Sequence, residues 1–222
     1  MTIVLSYILI AVISYLLGSL NFGVILSKKL INDDVRNHGS GNAGTTNMLR
    51  NYGKKFAVLT IIGDMLKVGV AILIAFAVLK YFPYPSEDLQ KYNDVLSGID
   101  KNMLVKSFAG FFCVLGHIFP CFFGFKGGKG VATAGGMVFA IDWKIALILL
   151  AIFFAVLLIT KYVSLGSIIM ALLYPVFIYI FYRSVILVLI AVVFTIVVVV
   201  AHKDNIKKLL NHTERKITDK KK

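Results

Sequence analysis

Cysteine is scarce in this chain: only Cys113 and Cys121 occur among 222 residues, too few for a disulfide framework or a thiolate metal constellation. Acidic residues are scarce too, 11 against 24 Lys and Arg, which leaves a net charge of +13. That excess does not make a nucleic-acid-binding surface, because the basic residues are spread over loops flanking apolar segments and no soluble recognition fold is available to host them. No internal repeat of fixed period is evident, unlike the inverted repeats of many transporters. A nucleotide triphosphate loop of the form GxxxxGK[ST] is also missing, since Lys129 is followed by Gly130 and Gly124 stands too close to Gly128. The first apolar stretch, Ile3 to Leu26, has neither a basic leader nor a small-residue cleavage site and is expected to remain as a helix.

What is present is oil. Hydrophobic residues make up 59% of the chain and the mean hydropathy is +0.85, values that place it among polytopic membrane proteins. The expected architecture is all-α, one integral membrane domain over residues 1–222 with a basic tail from about 217. Seven helices are predicted, with five as the smaller count, from apolar runs at Ile3 to Leu26, Phe56 to Tyr81, Met103 to Phe123, Val131 to Ile141, Ile145 to Thr160, Val163 to Tyr182 and Ser184 to Ala201. The fourth run has only 11 residues, about half of what a span needs, and is expected to borrow residues from its glycine-rich start. A turn is predicted at Asp142-Trp143-Lys144, because fusing the runs on either side would bury two charges at the bilayer centre.

Counting basic residues between the runs gives 17 on one side and four on the other. The positive-inside rule then places the amino terminus outside and the carboxyl terminus in the cytoplasm. The loop from Phe82 to Asn102 falls outside and reads as a solvated connector. The terminal run Lys220 to Lys222 reads as a tail on the membrane surface, next to anionic lipid heads.

Three polar islands fall on the cytoplasmic side: Arg36 to Arg50, Gly116 to Ala134 and Ala201 to Lys216. In the first, Gly39, Gly41 and Gly44 alternate with Ser40, Asn42, Thr45, Thr46 and Asn47. Such a sequence builds either an anion cradle of backbone amides and small donors or a flexible loop that caps the next helix. The second island carries Lys126, Gly127, Gly128, Lys129 and Gly130 directly before the Val131 run. A phosphate there would meet orphan amides, the positive end of a helix dipole and a lysine charge. The alternative is topological decoration with small residues for packing. In the third, His202 and Asn205 are three apart and are expected to share one face of a helix extension. They could bind an oxyanion or supply a base, or be a helix-end histidine and its neighbour. Glu214 stands beside Arg215 and Lys216 and reads as no more than a solvated charge pair.

Asp64 and Lys67 are three apart within the second run. They are expected to pair with each other or line a polar pocket. His117 and Pro120, near the end of the third run, read as a packing histidine and a kink.

Taken together, LLGS with Asn21 and Gly23, GSGNAGTTN followed by Arg50, GDMLK, LGH with Pro120, FGFKGGKGVAT and HKDNIKKLL with Glu214 resemble one family. It is the bacterial acyl-phosphate:glycerol-3-phosphate 1-O-acyltransferase, a membrane-integral enzyme. The resemblance runs from about Leu16 to about Lys216, with Val68 where the family usually has glycine. It implies transfer of a fatty acyl group from acyl phosphate to the sn-1 hydroxyl of glycerol 3-phosphate, giving lysophosphatidic acid and inorganic phosphate at the cytoplasmic face of the bacterial inner membrane. No coenzyme A, metal or other cofactor is implied, and no protein partner beyond membrane lipids.

By matching positions, the resemblance implies that Ser40, Arg50, Lys129, His202 and Asn205 do the catalytic work. Gly39, Gly41, Asn42, Thr46, Asn47, Gly127, Gly128, Gly130 and Glu214 would bind or support the substrates. A covalent route through Ser40 needs a base from His38 or His202, and the hydroxyl is read instead as a hydrogen-bond donor. The HxxxxD signature of soluble-type acyltransferases is absent. An organic-phosphate transporter is the rival, set aside because the glycine-basic motifs gather at one face rather than the midplane.

Overall fold

The computed structural model describes residues 2–82 and 85–219, apart from the side chain of Val95. The run Lys220 to Lys222 therefore lies outside the described residues. Within them the chain is helical, with no strand.

The first apolar run is not one helix. It divides into α1 (Ile3–Ser19) and α2 (Phe22–Leu30), bent by 41°, because Asn21 turns its side chain back to accept the Val24 amide at 3.3 Å and starts a new helix. After the first polar loop come α3 (Thr45–Tyr52) and the 28-residue α4 (Lys54–Tyr81). The expected outer connector contains a helix, α5 (Ser86–Val95), with Glu87 and Asp88 in its first turn, where the dipole favours them. The Tyr7 and Tyr92 hydroxyls, 2.7 Å apart, tie it to α1. Next are α6 (Lys101–Ile118), α7 (Val131–Ile141), α8 (Trp143–Thr160), α9 (Val163–Tyr182), α10 (Val185–Ala201) and α11 (Lys203–Leu210).

The short α7 does not borrow from its glycines. Gly130 adopts a left-handed φ of 79° and stops the helix from extending towards Lys129, so α7 rises only about 16 Å. At the other end the predicted turn is present: Asp142 caps α8 by accepting the Lys144 amide at 2.8 Å and the Tyr182 hydroxyl at 2.6 Å. By length and composition, four helices of the described residues can cross a membrane, or up to six if the bent pairs α1/α2 and α10/α11 each count as one span.

Small residues let the central helices touch backbone to backbone. A Cβ on Gly18 of α1 would stand 2.0 Å from the Cys113 carbonyl oxygen of α6, and one on Gly116 of α6 would stand 2.1 Å from that of Tyr15. Val68 is fully buried in the core shared by α1, α4 and α6 to α10. The outward faces keep large apolar side chains exposed, such as Leu73, Leu158 and Ile159, as a surface facing lipid tails requires.

Candidate functional site

The three polar islands meet at one end of the bundle. Arg36 of the first donates through Nη1 to the carbonyls of Phe123 (2.7 Å) and Lys126 (3.1 Å) in the second. Arg50 of the first donates through Nη2 to the carbonyls of Arg215 and Lys216 in the third, both at 3.2 Å. Arg36 is held for this task by Asp34, which takes its Nε at 2.9 Å and its other terminal nitrogen at 2.8 Å, a two-point grip that fixes the guanidinium plane. The same arginine keeps the Asp34 carboxyl well below the usual carboxylate range.

Inside the first loop the hub is Asn47, which is buried. Its Nδ2 donates to the carbonyls of Val35, His38 and Asn42 at 2.9–3.0 Å, and its Oδ1 accepts the Ser40 amide at 3.1 Å and Asn51 Nδ2 at 3.0 Å. Gly39 has to be glycine here, since its φ is +60° and a Cβ would stand within 2.4 Å of Asn47 Oδ1. The Gly44 amide is taken by Asn42 Oδ1 at 3.0 Å and the Gly41 amide by the His38 carbonyl at 3.0 Å. The loop consumes part of its own amides: those of Ser40, Gly41 and Gly44 are satisfied within it, whereas those of Gly39, Asn42, Ala43, Thr45 and Thr46 carry no partner among the described residues. What it presents is the exposed Ser40 and the half-buried Thr46. His38 turns its Nε2 to Asp33 Oδ2 at 2.7 Å.

The amino end of α7 is open as well. The first helical bond is the Ala134 amide to the Gly130 carbonyl at 2.7 Å, and no side chain caps the helix. Among the described residues the amides of Lys129, Gly130, Val131, Ala132 and Thr133 carry no partner. Thr133 Oγ1 is also buried without one. Donors of this number at a helix amino end are what an oxyanion binds. Lys129 adds its charge and forms no ion pair among the described residues. Burial above all pushes its ammonium down to about 8, opposed by the Glu214 carboxylate and assisted by the Lys208 and Arg50 cations.

The third island does not continue α10. The chain bends by 62° at His202, so His202 and Asn205 are not two positions on one straight face. His202 is buried and donates Nδ1–H to the Val198 carbonyl at 2.8 Å, which leaves Nε2 as the lone-pair nitrogen. Burial, with Lys129 nearby, pushes this imidazole down to about 4. Glu214 is not a solvated charge: its Oε1 accepts Ser164 Oγ at 2.7 Å and Asn205 Nδ2 at 2.8 Å.

The expected residues thus come together with different duties. Lys129 feels the charges of Glu214 and Arg50, and His202 those of Lys129 and Glu214, whereas Asn47 is spent on the first loop, Asn42 gives it one atom, Oδ1, and Asn205 gives Nδ2 to Glu214. Arg50 Nε is buried and unpartnered among the described residues, available to a ligand. Thr133, Ser164 and Lys208 were not singled out from the sequence. Thr133 lies in the quoted FGFKGGKGVAT motif and was within reach; Ser164 sits in an apolar run with nothing to mark it. Among the described residues no group of three or more His, Cys, Asp or Glu stands together as a metal would need.

A family model described as glycerol-3-phosphate acyltransferase matches residues 8–212. The chain is 41% identical over 219 residues to the glycerol-3-phosphate acyltransferase of Clostridioides difficile strain 630, covering 98% of each. It is 38% identical over 205 residues to that of Aquifex aeolicus, covering 92% of this chain and 96% of the other. Among solved structures it is similar to PlsY (YgiH), an integral membrane glycerol 3-phosphate acyltransferase. The glycerol 3-phosphate form gives a TM-score of 0.78 at 37% identity, and the lysophosphatidic acid form 0.76 at 35%, each covering 95% of both chains.

Proposed function

This chain belongs to the glycerol-3-phosphate acyltransferase family, and we propose that it acylates the sn-1 hydroxyl of glycerol 3-phosphate from a long-chain acyl phosphate, at the pocket between α3, the amino end of α7 and the His202 bend. It is an integral membrane acyltransferase. The observation that carries the site is the uncapped end of α7, where five amides, the Thr133 hydroxyl and the Lys129 ammonium have no hydrogen-bond partner among the described residues.

Both substrates are phosphates, and acyl phosphate is already an activated anhydride. The enzyme chiefly has to align the hydroxyl and stabilise negative charge. The glycerol oxygen attacks the acyl carbon, the bond from that carbon to the phosphate oxygen breaks, and inorganic phosphate leaves with its electron pair. Lys129 and the α7 amides hold a phosphate group, and Arg50, with its free Nε, offsets charge on the carbonyl or the leaving phosphate. Ser40 donates a hydrogen bond.

The hydroxyl proton goes to a substrate phosphate oxygen. His202 supports this assignment, because an imidazole at about 4 is a weaker base near neutrality than a phosphate dianion, whose second pKa is about 6. His202 then binds, accepting a hydrogen bond at Nε2. Purified protein in detergent tests the reaction: phosphate release has to depend on both acyl phosphate and glycerol 3-phosphate. Release from acyl phosphate alone at an equal rate contradicts transfer.

Lys129 also sets a pH dependence. Its ammonium is the form that holds phosphate, and with a pKa of about 8 that form is lost as pH rises through this value. The profile of kcat/KM, which reports the free enzyme, is expected to fall above about pH 8. Lys129→Arg, which stays protonated, removes that alkaline limb even where its overall rate is lower. An identical limb in the arginine variant assigns the titration elsewhere.

The enzyme sits in the bacterial cytoplasmic membrane with this pocket facing the cytoplasm, a placement supported by the 17 to four distribution of basic residues. Exposed positions at the two ends test it in a Cys121→Ala background. An impermeant maleimide added to intact cells is expected to label Ser97→Cys at once and Thr213→Cys only after permeabilisation. The reverse order would put the pocket outside.

A further inference from the structure

We propose that Asp64, Lys67 and His117 are positioning residues for acyl transfer: a buried network that sets the Lys126–Gly130 loop, and with it Lys129, at its working depth. The inference rests on the reading of Lys129 and the α7 amides as the phosphate site.

Lys67 of α4 is buried, and its ammonium donates to Asp64 Oδ1 (2.8 Å), to the Gly18 carbonyl (2.9 Å) and to the Leu20 carbonyl (3.1 Å). His117 Nδ1 of α6 stands 2.9 Å from the same nitrogen and 3.3 Å from Asp64 Oδ1. The ammonium has donors only, so at 2.9 Å it selects the tautomer with Nδ1 bare, which accepts from Lys67. The imidazole is thereby fixed with its proton on Nε2.

The phosphate loop rests directly on this ring. The Gly128 amide donates to the His117 carbonyl at 3.1 Å. A Cβ on Gly127 would stand 2.0 Å from that carbonyl oxygen, and one on Gly128 would stand 2.1 Å from His117 Nε2. Only glycine lets the backbone lie this close, and Lys129 is the next residue. From the opposite side Arg36 holds the same loop by the Phe123 and Lys126 carbonyls. Lys129 is thus placed by a clamp with His117 as its floor.

The ammonium does a second thing. The carbonyls of Gly18 and Leu20 stand at the break between α1 and α2, where helix bonding lapses. Helix α2 in turn carries the first loop, since a Cβ on Gly23 would stand 2.0 Å from the Ala43 carbonyl oxygen. One buried cation joins the floors of both loops. A scaffold alone would not need it: apolar side chains fill a span as well, and charges kept inside one are costly.

The test uses the full chain purified in detergent, with kcat, KM for each substrate and Tm measured side by side. Lys129→Gln, which removes the charge, first marks which substrate the lysine holds, by raising that KM. His117→Gln and Lys67→Met are then expected to raise the same KM about tenfold while the other KM stays put. A merely structural role predicts a lower Tm and a lower kcat with both KM values unchanged, and that result overturns the proposal. If Lys67→Met does not fold, Asp64→Leu with Lys67→Met removes the charge pair as a unit and is read the same way. If Lys129→Gln moves neither KM, the phosphate-site reading itself fails; if it moves one and the network variants do not, only the positioning role is lost.

Discussion

Lys129→Ala is expected to lower kcat/KM by about a thousandfold, the upper end of what removing one electrostatic donor at a reacting oxyanion costs, with no loss of thermal stability. The stability half follows from the surroundings. This ammonium is pushed down to about 8 chiefly by burial, and no ion pair among the described residues offsets that. Its charge opposes folding, and in the proposed site it serves binding. A Tm equal to or above that of the parent, with turnover nearly gone, is the expected pair of results. Activity within threefold of the parent would remove Lys129 from the site and leave the α7 amides to hold phosphate alone. A large fall in Tm would instead make the lysine part of the scaffold.

Asn47→Ala is expected to lower kcat/KM by about a hundredfold, and this time stability falls as well. The buried amide of Asn47 serves three carbonyls, an amide and a neighbouring asparagine. The bond to Val35 is fully buried, so water cannot replace the lost donor there. An orphaned acceptor of that kind costs about 2 kcal/mol. The loop carrying Ser40 then loses its single conformation, and the hydroxyl and Arg50 lose their registration with Lys129. Thermal denaturation and steady-state kinetics on one preparation check both halves. Full activity with an unchanged Tm would show that the Gly39–Gly44 turns hold the loop without their hub.

These two residues also mark how far the sequence could be read. The Lys129 candidate was legible because the pattern is local: a lysine among glycines at the start of an apolar helix makes an anion site one of two readings by backbone chemistry alone, topological decoration being the other. Asn47 stood in an equally suggestive motif and was expected to touch substrate, yet its hydrogen bonds go to residues four to twelve positions away in the chain. Donor density counts the groups in a loop but not which of them the loop consumes. Glu214 shows the same limit. Its neighbours Arg215 and Lys216 suggested a surface charge, while its partners Ser164 and Asn205 are brought to it by the packing of α9 and α11. Thr133 lies inside the same motif as Lys129, but a hydroxyl in the first turn of an apolar helix ordinarily bonds back to its own backbone, and only the packing leaves Oγ1 buried without a partner among the described residues.

The sequence by itself determined the membrane class, the helix-forming runs and the identity of the three islands. Composition, apolar length and glycine spacing act within a few residues or over the whole chain, and neither scale needs a partner to be known. Only the tertiary structure decided that α1 and α2 break at Asn21, that Gly130 keeps α7 short and its amides free, and that Lys67 bonds at once to Asp64, His117 and the α1/α2 break. Buried polar groups have to find partners, and those partners are chosen by which helices cross, not by which residues adjoin.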